Sequence, residues 1–122
     1  MTRLNILIVD DSETMRGILR HYLTLVGHII YEANDGLEAL GQLKVEKIDL
    51  VITDINMPNM DGYEFIKNIR ASSINSFIPI LAVTTQTAPQ QIQKGREVGA
   101  SGWLAKPFHE DAVISAINRL AC

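Results

Sequence analysis

Five short apolar runs alternate along the chain with five stretches of helical periodicity. Leu4 to Val9 is apolar and β-branched, the composition of a strand buried on both faces. After it, Met15, Ile18, Leu19, Tyr22 and Leu23 recur at helical spacing behind a cap at Asp11 or Ser12, and Gly27 ends that helix. His28 to Ala33 reads as a second strand, and Asn34-Asp35-Gly36 turns into a helix carrying Leu37, Leu40 and Leu43. Ile48 to Thr53 predicts a third strand, followed by a long loop from Asp54 to Asp61 and a helix from Tyr63 to Arg70 with Phe65, Ile66 and Ile69 on one face. Pro79 opens a fourth strand through Thr84, and Pro89 suits the first turn of the next helix. Gly102 to Ala105 is a short fifth strand, and a last helix runs to Leu120. Five such β/α units with short connections predict a parallel sheet with helices on both faces, since right-handed crossovers allow little else.

Composition narrows the function without naming it. A chain of 122 residues with 47% hydrophobic and 20% charged positions fits one globular domain. The formal charge of −3 provides no basic stripe for nucleic acid. No apolar run approaches the roughly 18 residues of a membrane span, and the start lacks the layout of a secretory signal. A single cysteine, Cys122, cannot staple the fold, so a reducing cytoplasm is the expected setting.

The strand ends carry the chemistry. The first expected strand runs into Asp10-Asp11, the third into Asp54, the fourth into Thr84 and the fifth into Lys106. Open α/β sheets bind ligands beyond the carboxyl ends of their strands, so these groups should gather at one edge. Taken singly, each has an ordinary explanation: Asp10 and Asp11 as helix-cap decoration, Asp54 as a loop cap, Thr84 as a β-branched strand residue, Lys106 as a solvated charge. Together they make a cleft in which three crowded carboxylates need cationic compensation. An all-oxygen donor set suits Mg²⁺, and that ion with Lys106 balances the three carboxylates. Such a cleft admits a phosphoryl group, with Asp54 as the nucleophile and Thr84 and Lys106 binding phosphoryl oxygens.

Other features lead elsewhere or nowhere. The acidic loop from Asp54 to Gly62 is not an EF-hand: Pro58 interrupts it and Phe65 stands where the bidentate Glu is required. Met57 and Met60 read as loop packing, and His21, His28 and His109 lack ligand spacing. An aspartyl phosphatase on a similar sheet would need a second Asp at position 56, which is Asn56. A flavin carrier would need a hydroxyl- and Gly-rich loop where Asp10-Asp11-Ser12-Glu13 stands.

Asp10-Asp11, the segment from Asp54 to Gly62, Thr84, Gly99 to Gly102 and Lys106-Pro107-Phe108 together resemble the signature of response-regulator receiver domains, above all the single-domain chemotaxis members. The likeness runs from Leu4 to Leu120. It implies a flavodoxin-like, doubly wound five-stranded parallel sheet of order 2-1-3-4-5 with five helices, forming one receiver domain over residues 1–122 with no output domain. It further implies a phosphorylated Asp54, Mg²⁺ held by Asp10, Asp11, Asp54 and the Asn56 carbonyl, a switch hydroxyl on Thr84, and a phosphoryl-binding Lys106 followed by a cis bond to Pro107. Trp103 falls where the family carries a rotating Tyr or Phe, which remodels the face of the fourth helix, fifth strand and fifth helix. Thr85 stands in place of the usual Ala and Gln86 where chemotaxis members often have Glu; with Asn56, these positions tune dephosphorylation. The implied protein is a cytoplasmic monomer of two-component signalling, catalysing only its own phosphorylation and dephosphorylation. A histidine kinase is its donor, a flagellar-motor switch component a candidate effector, and a phosphatase a further partner. A phosphorelay shuttle, a phosphate sink and a phosphorylation-independent binding module are the alternatives.

Overall fold

The computed structural model describes residues 3–73, 75–85 and 88–121. Strands β1 (Asn5–Val9), β2 (Ile29–Ala33), β3 (Leu50–Asp54), β4 (Ile80–Thr84) and β5 (Gly102–Ala105) alternate with helices α1 (Glu13–Leu25), α2 (Gly36–Val45), α3 (Gly62–Ala71), α4 (Pro89–Val98) and α5 (Glu110–Ala121). The strands form one parallel sheet in the order β2-β1-β3-β4-β5, the expected flavodoxin-like arrangement. The chain reverses its direction of travel across the sheet at β1, so a crevice opens between the carboxyl ends of β1 and β3.

Alternation along each strand divides the interior into two cores. Leu7, Val9, Val51, Ile80 and Ala82 point to the side covered by α2 and α3, against Leu43, Phe65, Ile66 and Ile69. Ile6, Ile8, Ile52, Leu81 and Val83 point to the other side, against Leu19 and Leu23 of α1 and Val113 and Ile117 of α5. Both faces of β1, β3 and β4 are therefore dry, which is why these strands read as unbroken apolar runs.

Three helices start on side-chain caps at the carboxyl edge of the sheet. Ser12 Oγ accepts from the Met15 amide at 3.2 Å, and the Asp35 and Asp61 carboxylates accept from the Glu38 and Glu64 amides at 2.9 Å each. Each such cap stabilises its helix by about 1 kcal/mol. Helix α4 differs: Ala88 occupies its N-cap position and makes no side-chain hydrogen bond, and Pro89 begins the helix. Second-strand pairing starts at Ile29, one residue after the expected His28, because the His28 amide closes the end of α1 on the Leu23 carbonyl at 3.1 Å. The buried His28 ring accepts the Leu4 amide on Nδ1 at 3.1 Å, and burial holds its pKa below the ordinary 6.5.

At the opposite, amino edge one guanidinium joins three segments. Arg70, in the last turn of α3, donates to the carbonyls of Gly99 (2.9 Å), Ser76 (3.1 Å) and Ile78 (2.6 Å) and to Ser101 Oγ (3.2 Å). Ser101 Oγ in turn accepts the Ile80 amide at 3.0 Å, which seats the start of β4. None of the four Arg70 acceptors is a carboxylate, and burial lowers the guanidinium's affinity for its proton, though it stays charged. Among the described residues no helix is long and apolar enough to cross a membrane.

The planar, five-donor fork of arginine is what this junction uses, and an ammonium cannot reproduce it. Arg70→Lys is expected to lower stability by about 2 kcal/mol, the scale of one to two lost charge-assisted hydrogen bonds. Urea unfolding should show a lower midpoint with an unchanged slope. An unchanged midpoint would mean that the junction is held by packing alone.

Candidate functional site

The residues singled out at the strand ends converge. Asp10 follows directly on β1, Asp54 is the last residue of β3, Thr84 the last of β4, and Lys106 follows β5. Asp54 thus lies inside the strand that had been expected to stop at Thr53, and its pairing register sets it opposite Val83. Carboxylate oxygens of Asp10, Asp11 and Asp54 lie within 4.8 Å of one another. Lys106 Nζ reaches over the crevice to Asp54 Oδ1 at 3.1 Å and Asp10 Oδ2 at 3.4 Å. Asp10 and Asp54 are only 3% and 6% exposed, whereas Asp11 faces solvent, so the cluster has a dry floor and an open mouth.

Backbone geometry holds each group in place. The Ser12 amide donates to Asp10 Oδ1 at 2.9 Å, and Arg16 donates to the Asp10 carbonyl at 2.6 Å. The Lys106 amide donates to the Thr84 carbonyl at 2.9 Å, and the Lys106–Pro107 peptide is cis, as the family likeness implied. Thr84 is fully buried. Beyond Asp54 the chain folds back so tightly that the Gly62 amide donates to the Ile55 carbonyl at 2.8 Å. A Cβ at position 62 would lie 2.5 Å from the Asp54 carbonyl oxygen and 2.6 Å from Ile55 Cα, so only glycine fits there. Asn59 takes a left-handed φ of 70° in this loop, a conformation asparagine tolerates better than most residues.

The electrostatics follow from this crowding. Burial, reinforced by the charge of Asp10, raises the Asp54 pKa above its ordinary 3.8; Lys106 opposes the rise by charge and hydrogen bond without cancelling it. One ammonium is too little cation for three carboxylates. The donor set is all oxygen, two members are dry and one is wet, and this fits a hard divalent cation that retains part of its water shell.

The remaining sequence candidates fall around this centre. Asn56 and Thr85 are exposed on the loops that follow β3 and β4, while Gln86 and Cys122 lie outside the described residues. Met57 and Met60 pack against the α2/α3 core, as loop packing predicts. His21 and His109 are exposed and away from any metal cluster found among the described residues. Trp103 is half-buried on β5 with its ring against Gly95 of α4, and its buried indole Nε1–H finds no acceptor among the described residues. Sequence reasoning missed Tyr63, which hydrogen-bonds to Gln91 across the α3–α4 boundary. The sequence marked it only as the first residue of an amphipathic helix.

Known proteins repeat this arrangement. CheY-3 of Vibrio cholerae is 42% identical over 106 residues, covering 86% of this chain and 82% of that protein. Sensor protein EvgS of Escherichia coli K12 is 38% identical over 118 residues, or 97% of this chain, which spans only about 10% of the length of EvgS. The high-resolution structure of the chemotaxis response regulator CheY4 of Vibrio cholerae superposes with a TM-score of 0.93 at 41% identity, covering 98% of this chain and 99% of that one. Residues 6–118 match the model of the response regulator receiver domain, so the cluster sits in a fold already used by chemotaxis regulators and sensor proteins, and the chain belongs to the response regulator receiver family.

Proposed function

We propose that this chain is a phosphoryl acceptor of two-component signalling, carrying the phosphoryl group on Asp54. The observation that carries the reading is the buried Asp54 carboxylate, held 3.1 Å from Lys106 Nζ with the Asp10 and Asp11 carboxylates alongside. An Asp54 oxygen attacks phosphorus, the bond from phosphorus to the donor breaks, and the donor leaves with that electron pair; a phosphorylated histidine of a kinase is the donor the family suggests. Asp10, Asp11, Asp54 and the Asn56 carbonyl would hold Mg²⁺, which supplies positive charge against the phosphoryl oxygens when bound. Lys106, already paired with Asp54, stays close enough to bind one of those oxygens, and the Thr84 hydroxyl at the end of β4 is the group that moves to bind another. Asn56 and Thr85, exposed on the loops after β3 and β4, tune water access and hence the lifetime of the acyl phosphate, a role the family likeness extends to Gln86. Turnover is confined to the chain's own phosphorylation and dephosphorylation.

The output is protein binding in the cytoplasm, through the face of α4, β5 and α5, with Trp103 as the responding ring. Likeness to CheY-3 and CheY4 over most of their length supports a chemotaxis role, with a flagellar-motor switch protein as effector and a phosphatase as a further partner. Likeness to a segment of EvgS supports the second reading, a phosphorelay shuttle or phosphate sink. Phosphorylation that alters binding to an effector other than kinases and phosphotransferases selects the first.

Incubation with acetyl phosphate, with and without Mg²⁺, and separation on a phosphate-affinity gel tests the acceptor directly. Labelling should require both Mg²⁺ and Asp54; Asp54→Asn labelled at the wild-type rate would sink the assignment.

Asp54 also gives a pH-dependent stability signature without divalent cation. Because its folded pKa lies above 3.8, the folded chain binds more protons than the unfolded one as pH rises from 3.8, and stability contributed by this group is lost through that window. Metal-free Asp54→Asn should therefore melt a few degrees above wild type at neutral pH, with Lys106 still paired to Asp10. The gap should close as the pH falls below 3.8. Equal melting temperatures at pH 7 would show that Lys106 already compensates the cluster.

Lys106→Arg should fold and accept the phosphoryl group, yet lose about tenfold in phosphorylation-dependent effector affinity, the scale of one charge-assisted hydrogen bond. Titration of the phosphorylated variant with effector reads this, and an unchanged dissociation constant would remove Lys106 from the switch.

A further inference from the structure

Of the five helices, α4 has the fewest buried residues. Gly95 is its only buried residue, and its N-cap residue, Ala88, makes no side-chain hydrogen bond. A groove of about 510 Å³, lined by Tyr63, Lys67, Ala71, Lys94 and Val98, opens between α3 and α4. Trp103 and Tyr63 both reach α4 from outside. Trp103 of β5 lies on Gly95 so closely that a Cβ there would come within 2.3 Å of Cζ3 and 3.0 Å of Cε3. Tyr63 of α3, itself only 7% exposed, donates its hydroxyl proton to Gln91 Oε1 at 2.8 Å, with the Gln91 carbonyl also in range at 3.2 Å. Lys94 Nζ stands 4.4 Å from the centre of the Tyr63 ring. Gln91 and Gly95 are one helical turn apart, so both grips act on the same face of α4.

Tyr63 is also tied to the acceptor. Its neighbour Gly62 is hydrogen-bonded to Ile55 and lies against the Asp54 carbonyl with no room for a Cβ. Displacement of the Asp54–Ile55 backbone is therefore passed through Gly62 to Tyr63, and from its hydroxyl to Gln91.

We propose that Tyr63 is a positioning residue for α4: its hydroxyl latches Gln91 and holds the helix in its resting place from the α3 side, one turn from the grip of Trp103. The release of this latch on phosphorylation rests on the function proposed above; the latch itself does not. Removing it frees α4 to move against β5 while leaving the two cores intact.

The test uses the full chain and Tyr63→Phe, which keeps the ring and its contact with Lys94 and removes only the donor. Trp103 is the single tryptophan, so its emission reports the α4–β5 contact alone. Without any phosphodonor, amides of α4 should exchange about threefold to tenfold faster in the variant, the scale of one lost neutral hydrogen bond, and acrylamide should quench Trp103 more strongly. Exchange in α1 and α5 should not change. Gln91→Leu should give the same effect, and the double variant no more than either alone. Unchanged α4 exchange and quenching would overturn the latch, as would an equal acceleration across all helices, which a purely structural tyrosine would produce. With acetyl phosphate and Mg²⁺, the difference between variant and wild type should shrink. Failure of Asp54 to label would refute the proposed function and leave the resting-state measurement to decide the latch.

Discussion

The structure turns on like-charge repulsion confined at one sheet edge. Three carboxylates share a space of 4.8 Å with a single ammonium, and two of them have almost no access to water. Removal from solvent makes every missing positive charge more costly than it would be on a surface. The strand order makes the crowding unavoidable, because β1 and β3 are neighbours and their carboxyl ends bring Asp10 and Asp54 together. Lys106 offsets part of the repulsion, and the raised pKa of Asp54 is what remains. A centre of this kind stores demand for cations and for hydrogen-bond donors, which suits it to admit a charged group reversibly.

Glycine at two places brings backbone unusually close to its neighbours around that centre. Gly62 allows the loop after β3 to double back onto the Asp54 carbonyl, and Gly95 allows the Trp103 ring to come up against α4. Both are close approaches that a methyl group would block, and neither needs a positive φ. One joins the carboxylate to α3, the other joins β5 to α4. The helices are thereby joined to the sheet at two points where backbone comes unusually close to its neighbour.

Much of this was legible in the residues. The unbroken apolar runs reported strands buried on both faces, and polar residues at four strand ends reported one cleft, because period and topology leave few other outcomes. What escaped was set by contacts distant in sequence. Leu37 looked like part of the buried face of α2, yet it is 60% exposed, because the inward face is the one that carries Gly36, Ala39 and Leu43. His28 looked unspecific and proved to be a neutral acceptor for Leu4. Tyr63 was visible only as the start of a helix, and the packing of α3 beside α4 is what gives its hydroxyl a partner 28 residues away. Strand ends moved by one or two residues for a similar reason, since Asp54 and Ile29 are fixed by their pairing partners rather than by their own propensities.

The junction at Arg70 has a mechanical consequence for the whole domain. The end of α3, the turn before β4 and the turn before β5 share one guanidinium, so none can loosen without stripping donors from the others. That edge opens as a unit or not at all. The roots of β4 and β5 are thus pinned together like reeds in one stock, at the edge of the sheet opposite the one where Asp54, Thr84 and Lys106 meet.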